Sequence, residues 1–453
     1  VSRPRPISGF PEWRPAEQPV EQLVLDSLRR TFELHGFSAL RTRAVEPMSV
    51  LLGKGETDKE IYLLRRLQAD ADAEDRDESG LGLHFDLTVP LARYVLENSG
   101  QLTFPYRRYQ IQPVWRGERP QEGRYREFVQ ADIDVVGDGT LPFHHEVEVA
   151  LVAAEALSVL PIPDVRMRVN NRKVAEGFYA GLGLVDTAAV LRVMDKLDKV
   201  GAPAVQAMLQ DAGATPAQAE ACVRFARITG WPGQGMAAVL DDVGALGVTH
   251  PLLTTGLAEL TRVVEAAEEA VPGVLVADLS IARGLDYYTG TVFETHLVGH
   301  EALGSVCSGG RYDQLASDGR RSFPGVGISV GVTRLVGALV ARGLVEASRS
   351  APAAVLVAVV DEEHRGISET VATSLRRRGI ATEVSATAAK FGKQIRYADR
   401  RGIPYVWFPG TDGHDQVKDI RSGEQQDADA ATWNPTSADV LPVLLATTPE
   451  ESP

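Results

Sequence analysis

Apolar positions recur along this chain with two different periods. Residues 109–136, YQIQPVWRGERPQEGRYREFVQADIDVV, open on Ile111, Val114 and Trp115 and close with Val129, Ala131, Ile133 and Val135 alternating on one face. That two-residue period predicts two antiparallel strands, and the polar, charged middle at 116–126 predicts a long loop between them. By the same period Phe128, Gln130 and Asp134 share the other face of the exit strand. Upstream, Val20, Leu23, Val24, Leu28 and Phe32 fall at helical spacing over 18–35, and Gly36 is the stop. Residues 37–45 read as a strand ending near Pro47, and 48–53 as the start of a short helix. Residues 83–89 read as a strand, 90–97 as a helix opened by proline, 143–160 as a helix and 165–169 as a short strand.

From 171 to about 270 the chain turns Ala-rich and helical, with amphipathic segments at 187–197, 202–212 and 216–229 and no strand alternation. This predicts a helical insertion, with nothing in it that signals chemistry. Strand patterns resume at 275–279, 287–297, 304–308 and 325–332. Beyond 352 strands and helices alternate: strands at 354–360, 381–385, 404–408 and 416–421, helices at 362–378, 388–401 and 438–445. Such alternation predicts a small α/β domain with a mostly parallel sheet.

Composition narrows the class. With 453 residues, two or three domains are expected, and 44% hydrophobic with 24% charged residues is ordinary for a soluble globular protein. No apolar run approaches a membrane span, and residues 1–14 hold no signal-peptide core. The two cysteines, Cys222 and Cys307, are too few for a disulfide framework or a zinc cluster, which fits a reducing cytoplasm. The nine histidines show no metal-ligand spacing, and His144–His145 reads as a helix-start pair. A net charge of −14 argues against general nucleic-acid affinity, so any RNA contact must be a local basic patch. The acidic stretch 69–80 reads as a flexible loop.

Six constellations carry candidate chemistry, each with a plainer alternative. Arg116, Arg119, Arg124 and Arg126 on the 116–126 loop suit a polyphosphate, because guanidinium forks bind phosphate oxygens bidentately, with Phe128 as a base-stacking surface. The alternative is a solvated, salt-bridged hairpin. Asp86 and Thr88 share a strand face or else cap the following helix. RGLDYYTGTVFE at 283–294 puts an arginine, Tyr287, Tyr288 and Glu294 around a turn and strand, or packs a tyrosine on the core. SGGRYD at 308–313 lets backbone approach a ligand beside Arg311 and Tyr312, or is a plain glycine turn. GVGISVGVTR at 325–334 lacks the Gly-Lys-Ser/Thr ending of a P-loop and any Rossmann context, and reads alone as close sheet–helix packing before Arg334. In the last domain Lys393, Tyr397, Arg400 and Arg401 share a helix face opposite a buried stripe of Phe391, Ile395 and Ala398. That basic face fits RNA or is simply solvated.

These pieces together resemble the histidyl-tRNA synthetases, class II aminoacyl-tRNA ligases, over 9–445. Pro47 matches the dimer-interface proline of class II motif 1, 116–134 motif 2 and 325–334 motif 3. RGLDYYTGTVFE and SGGRYDQL resemble the two histidine-specific signatures. DLTVPLARY at 86–94 with GRYREF at 123–128 looks closer to the eukaryotic and archaeal branch, and KFGKQIRYADRRGIPY at 390–405 resembles the anticodon-binding domain.

The resemblance implies an α+β fold. A class II antiparallel-sheet catalytic domain (1–170 and 271–345) carries a helical insertion (171–270) and an α/β anticodon-binding domain (352–447). It implies a cytoplasmic homodimer that joins histidine to ATP as histidyl-adenylate and passes it to tRNA(His), with Mg2+ accompanying ATP and no protein-built metal cage. Arg116 and Arg283 would act on the α-phosphate and histidine carboxylate. Glu118, Arg124, Phe128 and Arg334 would hold ATP. Asp86, Thr88 and Gln130 would take the α-ammonium, and Asp134, Tyr287, Tyr288 and Tyr312 the imidazole. Lys393, Tyr397 and Arg400 would meet the tRNA. Two positions depart from the family pattern: Thr333 stands where motif 3 usually has glutamate, and Gly117 where a larger polar residue is usual. The alternative is a non-catalytic paralogue that regulates ATP phosphoribosyltransferase. Such proteins lack the arginine signature and the anticodon-binding domain.

Overall fold

The computed structural model describes residues 5–52, 61–65, 80–121, 123–281, 288–410 and 413–447. Arg283, Tyr287 and nearly all of the acidic 69–80 stretch lie outside the described residues. The chain divides into two compact units, residues 1–11 with 27–338, and residues 12–26 with 339–453.

An eight-stranded sheet organises the first unit. Its strands are β1 (Ser38–Ala39), β2 (Tyr106–Trp115), β3 (Glu127–Val136), β4 (Val165–Asn171), β5 (Leu275–Ala277), β6 (Thr291–Leu297), β7 (Cys307–Tyr312) and β8 (Gly325–Gly331). Their spatial order is β1-β2-β3-β8-β7-β6-β4-β5. The central pairings are antiparallel, and only the edge pairs β1–β2 and β4–β5 are parallel. The β2–β3 hairpin forms as the alternation predicts, in unbroken register from Tyr106 opposite Val136 to Trp115 opposite Glu127. Ala131, Ile133 and Val135 are buried on one face of β3, and Gln130, Asp132 and Asp134 on the other. Residues 172–270 contain helices and no strand, from Arg172–Gly181 to Pro251–Ala270, as the loss of alternation predicts.

Several local expectations are corrected. Residues 37–45 are not one strand: β1 ends at Ala39, and Val45–Pro47 joins a separate three-stranded sheet with Leu63–Leu64 and Leu81–Leu83. The Gln112 side-chain amide causes the break, accepting from Thr42 N and donating to Thr42 O, both at 3.1 Å, in place of a strand partner. The strand expected at 83–89 stops at Leu83, because Asp86 Oδ1 accepts from Val89 N at 3.0 Å and a helix already runs over Thr88–Asn98. Asp86 therefore takes the helix-start alternative rather than a strand face. Tyr288 precedes β6 rather than lying on it.

SGGRY is strand β7, not a turn. Its glycines are required by packing: a Cβ on Gly309 would sit 2.1 Å from Gly327 O, and one on Gly310 2.6 Å from Thr291 O.

The second unit holds a five-stranded sheet of β9 (Val355–Val357), β10 (Thr382–Val384), β11 (Tyr405–Phe408), β12 (Gln416–Asp419) and β13 (Gln425–Asp427), ordered β10-β9-β11-β12-β13. Three strands are parallel and the last two antiparallel, so the sheet is mixed. Val355, Val357, Val371, Leu375 and Trp407 fill one side, and Leu356, Ala398 and Val406 the other. The helix expected at 438–445 does not form. Pro442 has no N–H for it, and Leu444–Ala446 instead pairs with Val345–Ala347.

Candidate active site

Two cavities adjoin on the face of the sheet that Gln130, Asp132 and Asp134 present. The larger, about 440 Å3, is lined by Arg116, Glu118, Arg124, Phe128, Glu294 and Arg334, among others. The smaller, about 90 Å3, is lined by Asp86, Thr88, Asp132, Asp134 and Tyr312, among others. Arg116, Gln130, Tyr288, Ser308, Gly309 and Ser329 belong to both walls. Every described member of the ATP and histidine sets read from the sequence therefore lines one cavity or the other.

Local geometry sets each side chain. Arg116 follows β2 directly; its Nε donates to Phe85 O at 3.0 Å, and its guanidinium carbon lies 5.1 Å from the Phe128 ring centroid. Glu118 stands 3.8 Å from Arg116 and 3.4 Å from Arg124, so the loop arginines share one carboxylate. Arg334, in the first turn of helix Val332–Ala341, donates Nη1 to Ser305 O at 2.8 Å and Nη2 to Leu303 O at 2.6 Å. A positive wall thus faces Phe128, a combination suited to a nucleotide. Cys307 also lines this cavity, but burial pushes its thiol up to about 12, so it is no nucleophile.

The small cavity is built by register. β3 and β8 pair Asp134 with Gly327, Asp132 with Ser329 and Gln130 with Gly331. Asp134 receives Tyr312 O–H at 2.6 Å and forms a 2.7 Å ion pair with Arg108. Gln130 Nε2 donates to Ser329 Oγ at 2.6 Å. Tyr288 packs against β7, where a Cβ on Gly310 would come within 2.9 Å of its ring. Arg311, one residue before Tyr312, points to the opposite face and bonds Glu146 at 2.9 Å and Asp313 at 3.0 Å, which anchors β7.

Three residues of the site escape the sequence reading. Asp132 continues the even-numbered alternation of Phe128, Gln130 and Asp134, so its signal was present. Burial, opposed by Arg108 and reinforced by Asp134, raises its carboxyl to about 7. Arg108 is fully buried and pairs in register with Asp134. Lys199, on the short helix Leu197–Val200 within the strand-free stretch 172–270, lines the larger cavity, so that stretch does contribute to the site.

In the second unit the basic face of helix Phe391–Arg401 is partly neutralised. Tyr397 O–H donates to Glu383 at 3.0 Å, and Arg401 meets the same carboxylate at 3.2 Å. Lys393 and Arg400 remain exposed. Phe391 is 42% exposed rather than part of a buried stripe: it opens the helix and meets Phe408 edge-on, ring centroids 5.0 Å apart. Gln394 takes the buried place instead, closing both hydrogen bonds of Val359.

Residues 9–335 match the family model for histidyl-tRNA synthetase, and residues 354–431 that for the anticodon binding domain. A histidine–tRNA ligase of Micrococcus luteus is 58% identical over 98% of both chains. The chain belongs to the histidyl-tRNA synthetase family. A second member, the histidine–tRNA ligase of Cutibacterium acnes, is 56% identical over 99% of this chain and all of its own. A crystal structure of the family, histidyl-tRNA synthetase from Nostoc sp., superposes with a TM-score of 0.83 at 35% identity, covering 95% of this chain and 97% of that one. These relatives are bacterial, so the expected kinship with the eukaryotic and archaeal branch finds no support.

Proposed function

We propose that this chain is a histidine–tRNA ligase that works with ATP: it forms histidyl-adenylate with release of pyrophosphate, then transfers the histidyl group to the 3′ end of tRNA(His). One observation carries the reading: a nucleotide-sized cavity and a small acid-and-phenol cavity share Arg116 and Tyr288 as a common wall. A reaction that joins two substrates needs such adjoining compartments, because holding nucleophile and phosphorus in line supplies much of the rate. The catalytic domain is assigned to 1–170 and 271–345, the insertion to 171–270 and the anticodon-binding domain to 352–447.

Histidine enters the small cavity, its α-ammonium to Asp86, Thr88 and Gln130 and its imidazole between Asp134 and Tyr288, with Tyr312 and Tyr287 alongside. A rival side chain without opposed ring nitrogens strands a buried carboxylate or phenol, at about 1–3 kcal/mol each. Adenine stacks on Phe128 beside Glu118, and Arg124 and Arg334 take the outer phosphates. Arg116 bridges the α-phosphate and the histidine carboxylate, with Arg283 as its counterpart. The carboxylate oxygen attacks the α-phosphorus as the bond to the bridging oxygen breaks, and the arginines hold the charge that gathers on the phosphoryl oxygens. Mg2+ fits this wall: Glu118 and Glu294 are two carboxylates beside phosphate-binding arginines, and magnesium is usually held by one or two carboxylates plus the phosphates, whose charge it offsets.

Lys393, Tyr397 and Arg400 are assigned to tRNA, and the protein to the cytoplasm. Among the described residues no helix is long and apolar enough to cross a membrane. A homodimer is supported by Leu63, Leu64 and Leu81, exposed on the small sheet that contains Pro47. ATP–pyrophosphate exchange with each of the amino acids tests the assignment. Exchange driven by histidine alone supports it; histidine binding without exchange would favour the regulator, and exchange with another amino acid a different synthetase.

A further inference from the structure

We propose that Arg108 is a positioning residue for substrate choice: it holds Asp134 as an oriented carboxylate, so that the small cavity accepts the neutral imidazole and rejects the imidazolium. The inference rests on the histidine-binding reading of that cavity.

Arg108 sits on β2 directly opposite Asp134 on β3, and its side chain is wholly buried. Its Nη2 does all the visible bonding, to Asp134 Oδ2 at 2.7 Å and Leu87 O at 3.3 Å. Nε and Nη1 have no hydrogen-bond partner among the described residues. A buried arginine kept for architecture satisfies more of its five donors, and an apolar residue of similar volume is often as stabilising as a buried ion pair. The feature that an apolar residue cannot replace is the charge.

That charge has a definite consequence. The Arg108–Asp134 pair is neutral as a unit, and a carboxylate offers about four lone-pair sites, more than Arg108 and Tyr312 take. A neutral imidazole offers one N–H and one acceptor nitrogen, which match Asp134 and a phenol. An imidazolium would add a positive charge beside Arg108 and Arg116. Other ionisable groups facing the pair are Asp86 from the turn before helix Thr88–Asn98, Tyr106 on β2, Asp132 on β3, Tyr312 on β7 and Tyr288 ahead of β6. Asp132, buried beside the same guanidinium, carries one oxygen with no hydrogen-bond partner among the described residues. One arginine therefore serves two acids, and Asp134 has the direct contact.

The test is a double-mutant cycle on the full chain, read as KM for histidine and for ATP in pyrophosphate exchange from pH 6 to 9. Wild type must first show histidine-driven exchange; its failure there overturns the ligase reading, not this inference. Arg108→Met should raise the histidine KM at pH 7.5 by about tenfold or more, with the ATP KM within about twofold, as expected for contacting residues that act as a unit. The defect should shrink toward pH 6, where free histidine takes up its second proton and wild type, but not the variant, turns the cation away. In an Asp134→Asn background, Arg108→Met should add nothing further. If Arg108→Met does not fold, Arg108→Lys, which keeps a point charge but not the fork, completes the same cycle with a smaller rise that again vanishes beside Asp134→Asn. Effects that multiply independently, or a variant pH profile parallel to wild type, would overturn the proposal.

Discussion

Gly327 faces Asp134 across the β3–β8 pairing with space for nothing larger than hydrogen: a Cβ there would lie 2.1 Å from Asp134 Oδ1. The glycine is what lets a carboxylate lie along the sheet between Arg108 and Tyr312 instead of standing away from it. Gly327→Ala should therefore push Asp134 off both partners. The histidine KM should rise by about tenfold or more, with a stability loss of about 1–3 kcal/mol for overpacking. Exchange kinetics beside a denaturant titration would check both, and an unchanged histidine KM would show that Asp134 does not line the binding pocket.

Thr333 resolves the departure from the usual motif 3. It is buried, and its hydroxyl accepts from Val129 N at 2.8 Å, tying helix Val332–Ala341 to the start of β3. The side chain thus has an architectural bond in place of a carboxylate's reach. Thr333→Val keeps the shape and strands that N–H, so it should cost about 1–3 kcal/mol in urea unfolding. No loss would mean that the amide finds another acceptor.

Asp132 predicts a pH dependence of stability with a definite sign. Burial raises its carboxyl from 3.8 to about 7, so between those values the folded state holds a proton that the unfolded chain has lost. Stability from this group is complete below pH 4 and lost as pH rises toward 7. Asp132→Asn should match wild type near pH 4 and exceed it above pH 7, on the order of 2–4 kcal/mol. Denaturant midpoints across pH 4–8 would reveal it; a difference that narrows as pH rises would contradict the assignment.

How far the chain could be read from its letters depended on how local each signal was. The β2–β3 hairpin was legible because alternation is a property of neighbours, and it placed Phe128, Gln130 and Asp134 on the cavity face. Asp132 obeyed the same rule and went unread because nothing local says that a carboxylate there will be buried. Arg108 was invisible for a deeper reason: its meaning is a cross-strand partner 26 residues away that only register supplies. The Gly309–Gly310 pair looked like a turn, since glycine's commonest use is a turn, whereas here β6 and β8 crowd it from either side. The 37–45 strand failed because one distant glutamine, Gln112, claimed both backbone groups of Thr42. Lys199 gave no sign, being one of several charged residues on a helical surface.

The most direct test of two substrates in two adjoining cavities is a pair of KM values. In pyrophosphate exchange, Asp134→Asn should raise the histidine KM by about a hundredfold while the ATP KM stays within about twofold. Arg334→Ala should do the reverse, raising the ATP KM and leaving that for histidine. Equal rises in both constants for both variants would contradict the account.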